Sequence, residues 1–558
     1  MQDGNPVPSM THPPPKTFVG RGGSRPPHPP GRAPRAPGAR PGRARGAAGV
    51  GMALRAGGAR GGGAGGERWA RETAWGRVGA LSLQGLALNA AVPAALLVQA
   101  AVVGRQSGAL LAAYAAVTSA VSLVGVVFNF LSDGITAKVS EAVGRQQWRR
   151  VAQLTRWSLS AALGLGLLCS AALLGLEHAV FLAVLVPVEV EAAARQFYLV
   201  RAFSMPVVLL QMASSGVLSG YQYLGLASGI NVARGLLDIL GTVTVVLGLG
   251  GSLVDLGLAS LVASAVALAA ALLALERRAP AGAPASFRAG FRGRTPQRRG
   301  LEESLLATSE GQAPEAGRGE AEGGDAEGAG EGFWDFVGDG LNMVLRTLLL
   351  TASFYAAAAF ASRVPEPDGP DSSRGGALAA HGIVVQLWML MSYITDGIAS
   401  VGTMVGGKLY GEGTSVSKHF FSILTRRLLL LGLAFGLCSV LILTLFRDPI
   451  ISIFTREGDA SYRTILHFLR QVWPLLVAMQ PVNCLIFVYD GLIYALQRFT
   501  YIRNVMASGF LLVFLPVLLY GTYSFHTLLA IWAAKAAFNV WRLAGLAGEV
   551  HVRVLGAP

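Results

Sequence analysis

Three acidic residues lie inside apolar runs that otherwise suit a lipid bilayer: Asp133, Asp396 and Asp490. An ionisable side chain near the centre of a bilayer costs a few kcal/mol, so it needs a partner, a wet cavity or a function. A buried carboxylate can bind and release a proton near neutral pH or ligate a cation. We therefore assign the three residues to cation coupling, with H⁺ or Na⁺ as the coupling ion, and we expect no other cofactor.

Asp133 and Asp396 have a second interpretation, because both lie towards the ends of their apolar runs, in "LSDGITAKVSEAVG" and "ITDGIASVGTMVGG". At such a position a carboxylate can cap local backbone or pair with an arginine of a neighbouring loop, which is a structural role. The sequence leaves both interpretations open.

Further ionisable residues interrupt other apolar runs: Arg234, Asp238, Arg346, His381 and Lys535. Arg234 and Asp238 are four positions apart and therefore share one helix face, which predicts a local ion pair. We assign Arg234, Asp238, Arg346 and His381 to the cavity that would hold a substrate.

Long apolar helices must position these residues. The chain has 558 residues, of which 52% are hydrophobic and only 14% are charged. A helix needs about 20 mostly apolar residues to cross a bilayer, whereas a strand of a membrane barrel alternates apolar and polar residues over about ten. The runs are longer than that and apolar on every face, so we predict an all-α integral membrane protein. Its predicted transmembrane helices, about twelve, lie near residues 77–103, 107–131, 153–176, 198–219, 226–249, 252–275, 335–361, 378–407, 424–446, 466–496, 503–521 and 525–548.

Two segments of the first half of the chain recur in the second half. "SDGI" (132–135) matches "TDGI" (395–398), 263 positions later. "PVVLLQMASSGVLSGYQ" (206–222) aligns without gaps to "PVNCLIFVYDGLIYALQ" (481–497), 275 positions later. Two anchors in the same order predict two pseudo-symmetric six-helix bundles, related by an axis along the membrane normal. Such a pair encloses a central cavity that rocking of one bundle against the other exposes to either side.

Asp490 is the asymmetric member of the three acids. The longer match pairs it with Ser215, so only one half carries a carboxylate at that position. Asp133 and Asp396, by contrast, are paired with each other in the shorter match. The asymmetry favours Asp490 over the other two acids as the coupling residue.

Composition divides the chain into five parts. The first 72 residues hold eleven Arg and one Lys against three acids, which is typical of a disordered segment. This segment suits an organelle transit peptide, or it is a tail without function, or the true start is Met52. The predicted parts are a disordered basic tail (1–72), an N-terminal six-helix lobe (73–275), a flexible charged linker (276–332), a C-terminal six-helix lobe (333–550) and a short C-terminal tail (551–558).

Lys and Arg concentrate in the connections on the side of the linker and both termini. The positive-inside rule therefore places that side in the cytoplasm, or in the stroma of a plastid. We expect the protein in the plastid envelope if the first 72 residues are a transit peptide, and otherwise in the plasma or vacuolar membrane.

Several function classes are disfavoured by missing motifs. The chain has no HExxH, Walker A or GxSxG motif and no paired Cys/His site, so we predict no enzyme activity, no catalytic residue and no metal site. The basic tail has almost no aromatic residues and no recognisable nucleic-acid reader. We therefore expect no nucleic-acid partner, in spite of the formal net charge of +14.

Three segments together resemble the multidrug and toxic compound extrusion (MATE) family, and in particular its DinF-like branch. They are "VVGRQSGALLAAY" (102–114), "ALAAHGIVVQLWMLMSYITDGIASVGTMVGGKLYGEG" (377–413) and "QPVNCLIFVYDGLIYALQ" (480–497). The similarity runs through residues 75–275 and 335–545. This resemblance implies a twelve-helix, two-lobe antiporter. Such an antiporter expels drug-like organic cations or organic acids in exchange for H⁺ or Na⁺.

The resemblance also assigns roles to three positions. Coupling in the family is commonly linked to an acid in the first helix, and alignment through "VVGR" places that position at Gln99, which cannot take up a proton in this range. Gln99 thereby joins the predicted substrate cavity. Asp490 matches the family's carboxylate in the second lobe. The polar position of the fifth helix falls near Arg234, whose positive charge would favour an anionic substrate such as an organic acid.

The leading hypothesis is a multi-pass MATE-type antiporter that acts as a monomer in the lipid bilayer on a small organic substrate. A flippase for lipid-linked precursors, from the same superfamily, would need a wider, more basic cavity and a groove for a lipid tail. A non-transporting membrane scaffold would dispense with a polar central chamber. All three hypotheses stay open at this point.

Overall fold

The computed structural model describes residues 63–184, 191–280, 283–284, 287, 332–365, 375–455 and 462–556. These residues are almost entirely helical, and no strand occurs among them. A bilayer offers no water to backbone N–H and C=O groups, so helices that satisfy their own hydrogen bonds are the expected solution. The predicted fold class, an all-α integral membrane protein, is confirmed.

Helices follow the predicted apolar windows closely. Those of the first half are α1 Gly63–Glu72, α2 Trp75–Gln106, α3 Gly108–Val127, α4 Phe130–Gly144, α5 Trp148–Gly175, α6 Glu177–Val184, α7 Glu191–Phe203, α8 Met205–Gly220, α9 Leu224–Thr242 and α10 Leu253–Arg277. Those of the second half are α11 Phe333–Ala361, α12 Gly376–Val401, α13 Gly407–Glu412, α14 Ser415–Leu445, α15 Arg447–Phe454, α16 Tyr462–Ala478, α17 Gln480–Ala495, α18 Phe499–Ser508, α19 Leu515–Phe525 and α20 Leu528–Val550. Wider π-helical turns cover Val243–Gly248, Gly402–Gly406, Gly509–Phe514 and His551–Leu555.

Within the described part of the chain, nine helical segments are long and apolar enough to cross a bilayer, or eleven if each of two bent pairs is one span. The bent pairs are α7 with α8, at 43°, and α16 with α17, at 49°. The last predicted window corresponds to α20, which has 23 residues. Its composition is less apolar because it carries the buried residues Lys535, Asn539 and Arg542.

The longer of the two repeat matches is confirmed by geometry. Both segments start directly after a bend, with Pro206 and Pro481 in the first turn of α8 and α17. Both end at a glutamine in the left-handed region, with φ of 72° at Gln222 and 57° at Gln497. The two halves therefore share the bend, the helix and the turn that follows it.

The contacts between the halves reveal the symmetry axis directly. A Cβ on Gly144 would lie 2.1 Å from the carbonyl oxygen of Lys408, and a Cβ on Gly411 would lie 2.1 Å from that of Glu141. Residues 141 and 408, and residues 144 and 411, are each 267 positions apart. Exchanging the two halves therefore turns one contact into the other, as a pseudo-two-fold axis requires.

The shorter repeat match was out of register by one helical turn. With an offset of 267 positions, Asp133 corresponds to Ser400, and Asp396 corresponds to Asn129. The prediction that Asp133 and Asp396 are equivalent is therefore wrong. A shift of four residues is close to one turn of 3.6 and leaves the same helix face in place. Three identical residues could not distinguish the two registers.

The predicted disordered N-terminal tail extends too far, because the residues of helix α1 are folded against the second half. Trp69 is fully buried, and its Nε1 donates to a carboxylate oxygen of Glu412 at 3.0 Å. Arg68 pairs with the same carboxylate at 2.7 Å, and Glu72 lies 3.5 Å from the ammonium of Lys408. A helix this short is unstable alone, so these contacts hold it. The rest of the predicted tail lies outside the described residues.

The start of the predicted linker is also packed. Phe287 is 7% exposed and makes edge-to-face contacts with Trp148 and Tyr221, at ring-centroid distances of 6.5 and 6.2 Å. The Tyr223 hydroxyl donates to the carbonyl oxygen of Ala279 at 2.9 Å. The linker therefore begins against the first half, and its residues 288–331 lie outside the described residues.

The predicted C-terminal tail likewise begins with ordered structure. A wide helical turn, His551–Leu555, extends α20. The Tyr489 hydroxyl lies 3.0 Å from Nε2 of His551, and Arg553 contacts Glu549. This short segment thus packs against α17 through the contact between the Tyr489 hydroxyl and the His551 imidazole.

The end of the molecule that holds Glu72, Gly144 and Glu412 is called the tail side below. Ser140 and Gly407 are in contact at the centre of this side. They are also 267 positions apart, so they are equivalent residues of the two halves, and the pseudo-two-fold axis passes through their contact. Lys138 and Asp339 add an ion pair between the halves at 2.6 Å. The halves are thus in direct backbone contact on this side.

We predict that Ser140→Cys combined with Gly407→Cys forms a disulfide under mild oxidation in a variant without the native cysteines. A Cβ on Gly407 would lie 3.4 Å from that of Ser140, near the ~3.8 Å that a disulfide needs. With a protease site inserted in the linker, a non-reducing gel after cleavage should still show the full-length mass. Ser140→Cys with Gly382→Cys is the control, because Gly382 has nothing within 4 Å. Separation of the halves in the oxidised first variant would contradict the axis.

Candidate functional site

Asp490 is paired with two guanidinium groups. Arg346 of α11 contacts its Oδ2, and Arg542 of α20 donates to the same oxygen at 3.1 Å. The side chains of Asp490 and Arg542 are only 4% and 3% exposed. The Oδ1 atom of Asp490 is buried and has no hydrogen-bond partner among the described residues. Two arginines therefore hold Asp490 through one oxygen, and the other oxygen is unpaired.

The two other acids predicted for coupling lie near this pair. Asp133 on α4 and Asp396 on α12 both interact electrostatically with Arg346 and Asp490. Asn129 donates from Nδ2 to Asp133 at 2.9 Å. The structure thus brings the three acids together, one from the first half and two from the second. The central charge cluster is the name used below for Asp133, Asp396, Asp490, Arg346 and Arg542.

A second polar cluster lies inside the first half, around Asp238. Gln99 donates from Nε2 to Asp238 Oδ1 at 2.8 Å, and Ser260 donates to the same oxygen at 2.6 Å. The Tyr114 hydroxyl donates to Oε1 of Gln99 at 2.9 Å. Each of these four residues is buried. This Asp238 cluster joins α2, α3, α9 and α10, and it supplies the first half with a carboxylate beside the position of Gln99.

Arg234 does not form the predicted ion pair with Asp238. No nitrogen of Arg234 lies within 4.0 Å of that carboxylate, because Gln99 and Ser260 approach it instead. Arg234 and Arg201 both act on Asp238 at longer range. The Nε atom of Arg201 is buried without a hydrogen-bond partner among the described residues. Two guanidinium groups thus surround one carboxylate, and the local charge is positive.

Arg234 lines a groove between α9 and α10 with a volume of about 230 Å³. The rest of the lining is small or apolar: Gly225, Leu226, Gly229, Ile230, Ala233, Leu237, Val266, Ala267 and Ala270. The groove therefore combines one cation with an apolar wall, which suits an amphipathic anion.

His381 lies in a third place, inside the second half. Its ring packs on that of Trp532 with centroids 5.5 Å apart, and Lys535 of the same helix interacts with it electrostatically. The cavity residues predicted from sequence are thus split. Gln99, Arg234 and Asp238 lie together, Arg346 belongs to the central charge cluster, and His381 is separate from both.

Sequence reasoning missed two arginines, the partly buried Arg201 and the buried Arg542. Arg542 follows Lys535 by seven positions in the last apolar window, a spacing that places both on one helix face. Arg201 lies inside the fourth window. A search of every window for arginine would have found both, but it would not have identified their carboxylate partners.

Comparison with known proteins places these clusters in a family context. A family model described as MatE matches residues 88–244 and 344–519, which together are more than half of the chain. The matched segments contain Gln99, Asp238, Arg346 and Asp490. Lys535 and Arg542 lie beyond the second segment.

Curated relatives match over shorter stretches. Protein DETOXIFICATION 45, chloroplastic, of Arabidopsis thaliana is 27% identical over 172 residues, which are 30% of this chain and 27% of that protein. Protein DETOXIFICATION 44, chloroplastic, of the same organism is 27% identical over 210 residues, 36% of each chain. The chain therefore matches about a third of the length of these relatives.

Solved structures share the fold at low identity. A MOP superfamily transporter from Pyrococcus furiosus, described as having a binding pocket of reversed polarity, aligns with a TM-score of 0.68 at 15% identity over 86% of this chain and 96% of that one. A multidrug resistance MATE transporter in an outward-facing conformation gives 0.67 at 15% identity over 86% and 95%. At this identity the likeness concerns the fold alone.

We predict that Gln99→Leu destabilises the protein by roughly 1.5–3 kcal/mol, since the buried carboxylate of Asp238 loses a donor of about that worth. Thermal denaturation of the purified protein in detergent measures the effect. Gln106→Leu is the matched control on the same helix, because that side chain is exposed and makes one 3.5 Å bond to a carbonyl. Equal melting temperatures for both variants would refute the role of Gln99.

Proposed function

Since this chain belongs to the MatE family of membrane transporters, we propose that it is a secondary antiporter that exports small organic compounds in exchange for H⁺ or Na⁺. Export would proceed by alternating access between the two halves. The observation that carries the proposal is the central charge cluster, because it joins Asp133 of the first half to Asp396 and Asp490 of the second.

The cluster offers a reason for cation coupling. When all three carboxylates are ionised, the two guanidinium groups leave one negative charge unmatched, and one bound cation would match it. The unpaired Oδ1 of Asp490 is the acceptor we assign to that cation, with Asp133 and Asp396 close enough to share its charge. Because the carboxylates come from both halves, a bound cation changes the energy of their contact. Differential binding of this kind is what antiport requires.

In this proposal, the contacts between the two halves on the tail side form the gate that opens and closes. Because Gly144 touches Lys408 and Gly411 touches Glu141, we expect these contacts to separate when the tail side opens towards the central charge cluster. Glu141 and Gly144 lie about two to three turns beyond Asp133 on α4. Lys408 and Gly411 lie about three to four turns beyond Asp396 on α13, which continues α12 through the wide turn Gly402–Gly406. A rigid helix transmits a displacement over that distance, so the charge state of the cluster and the closure of the gate are expected to be linked.

Two features favour an organic acid over a drug-like cation as the substrate. Arg201 and Arg234 give the surroundings of Asp238 a positive charge, and Gln99 stands where the resemblance to MATE transporters placed an acid. The groove beside Arg234 also accommodates the apolar body of an amphipathic anion. It would equally suit the tail of a lipid-linked precursor, so a fluorescent anionic lipid belongs in the panel of test substrates.

For location we propose the plastid envelope, with a single chain as the functional unit. The arginine-rich residues before α1 and the two chloroplastic relatives support the location. A single chain contains the whole central charge cluster, which supports a monomer. Imaging a fluorescent fusion with and without residues 1–62 tests the location, and this deletion leaves the buried Trp69 in place.

We predict that Asp490→Asn abolishes ion-driven export and leaves substrate counterflow intact. The amide oxygen can still accept from Arg542, so the variant should fold, but it can no longer bind the coupling cation with a full charge. Transport in proteoliposomes with and without an H⁺ or Na⁺ gradient separates the two activities. Asp448→Asn is the control, because that acid is exposed on the short helix α15. Unchanged gradient-driven export in Asp490→Asn would reject the coupling site.

We also predict that the disulfide of Ser140→Cys with Gly407→Cys stops transport and that a reductant restores it. The cross-link holds the halves together on the tail side, so that side cannot open. Transport in proteoliposomes before and after reduction measures the effect. The single variants under the same oxidant are the controls, and full activity of the cross-linked protein would refute alternating access through the tail side.

A further inference from the structure

Lys535 carries a buried amino group that the proposed coupling mechanism does not use. Its side chain is 2% exposed, its Nζ lies 3.4 Å from the ring centroid of Phe354, and it donates to the hydroxyl of Ser353. Among the described residues, no carboxylate oxygen lies within 4.0 Å of Nζ. A hydroxyl and an aromatic face stabilise an ammonium only in part, so its charge calls for an anion.

Two neighbouring polar atoms also lack partners. Nε1 of Trp532 and Nδ1 of His381 are buried without a hydrogen-bond partner among the described residues, in side chains that are 3% and 4% exposed. Trp532 precedes Lys535 by three positions on α20, so the two share a helix face. Both the indole and the ammonium can only donate, so the group that satisfies both must be an acceptor.

Asp490, the acid beside Arg542, already has two cationic partners. Arg542 follows Lys535 by seven positions on α20 and adds positive charge to the same face. Its carboxylate partner, Asp490, is shared with Arg346. The described part of this half therefore provides no side-chain anion within 4.0 Å of the Lys535 Nζ.

We propose that Lys535, Trp532 and His381 form an anion subsite that takes a carboxylate group of the transported compound. A carboxylate has two acceptor oxygens, one for the ammonium and one for the indole N–H. Trp388, with its ring centroid 5.9 Å from that of Trp532, adds an aromatic wall for the apolar part of an organic acid. The choice of substrate rests on the proposed transport function, whereas binding itself is measurable without transport.

The subsite lies in the part of the second half that is remote from the tail side. Lys535 is seven positions from the start of α20, and His381 is five positions from the start of α12. Helix α12 runs from there through Asp396 towards α13, which ends on the tail side. A compound that moves away from the tail side would therefore pass the central charge cluster before its carboxylate reaches Lys535.

Titration of the purified full-length chain in low-salt buffer with succinate, benzoate or chloride tests the subsite, with tryptophan fluorescence as the signal. We expect saturable binding of a carboxylate, and a roughly 10- to 100-fold loss of affinity in Lys535→Met, since a charge-assisted hydrogen bond is worth about that factor. Lys535→Arg should recover most of the affinity. Lys418→Met, an exposed lysine on α14, is the matched control and should bind as the wild type does.

Trp532→Phe provides a second variant should Lys535→Met fail to fold. It removes only the N–H donor, so we expect it to lose the fluorescence change and to bind the carboxylate more weakly by calorimetry. Unchanged carboxylate affinity in a folded Lys535→Met variant would overturn the subsite. Binding of chloride with no binding of either carboxylate would overturn it too.

The binding titration and a transport assay together distinguish failure of this subsite from failure of the antiport proposal. If the chain binds succinate or benzoate through Lys535 but exchanges no ion for it, the subsite stands and antiport fails. If the chain exports a lipophilic cation against an ion gradient and binds neither carboxylate, antiport stands and the subsite fails.

Discussion

A charge inside a bilayer is unfavourable unless another group compensates it, and the arrangement of the helices around Asp490 follows from this constraint. Two arginines, on α11 and α20, converge on one carboxylate of α17. Three spans that are distant in the chain must therefore meet at this point. Asp133 and Asp396 bring α4 and α12 to the same place, so the cluster is one of the places where the two halves meet.

Close backbone packing also joins the two halves. On the tail side the halves approach until a single methyl group on Gly144 or Gly411 would overlap a carbonyl oxygen. The two contacts exchange when the halves are exchanged, so the same packing arrangement occurs twice in the interface. An interface of this kind is either closed or separated, because close-packed surfaces do not deform continuously. Alternating access needs two discrete states of that sort.

The symmetry of the backbone is not repeated in the buried polar groups. The first half encloses Asp238 in a network of neutral donors, with Arg201 and Arg234 at longer range. The second half pairs its carboxylate directly with arginines and keeps a lysine apart from it. Duplication thus preserved the bends, turns and axis contacts, while the buried polar groups of the two interiors diverged. A shared scaffold with different polar groups is how one fold serves distinct ligands.

The sequence by itself determined the helices, the duplication and the presence of buried charge. The length of an apolar run and the match of "PVVLLQMASSGVLSGYQ" to "PVNCLIFVYDGLIYALQ" are local properties, which no distant residue alters. Only the tertiary structure decided which charge meets which, that Asp490 has two partners and that Arg234 does not pair with Asp238. It also decided the register of "SDGI" and the burial of Trp69. The physical reason is that partners are set by distances between helices far apart in the chain, and a shift of one turn leaves a helix face unchanged.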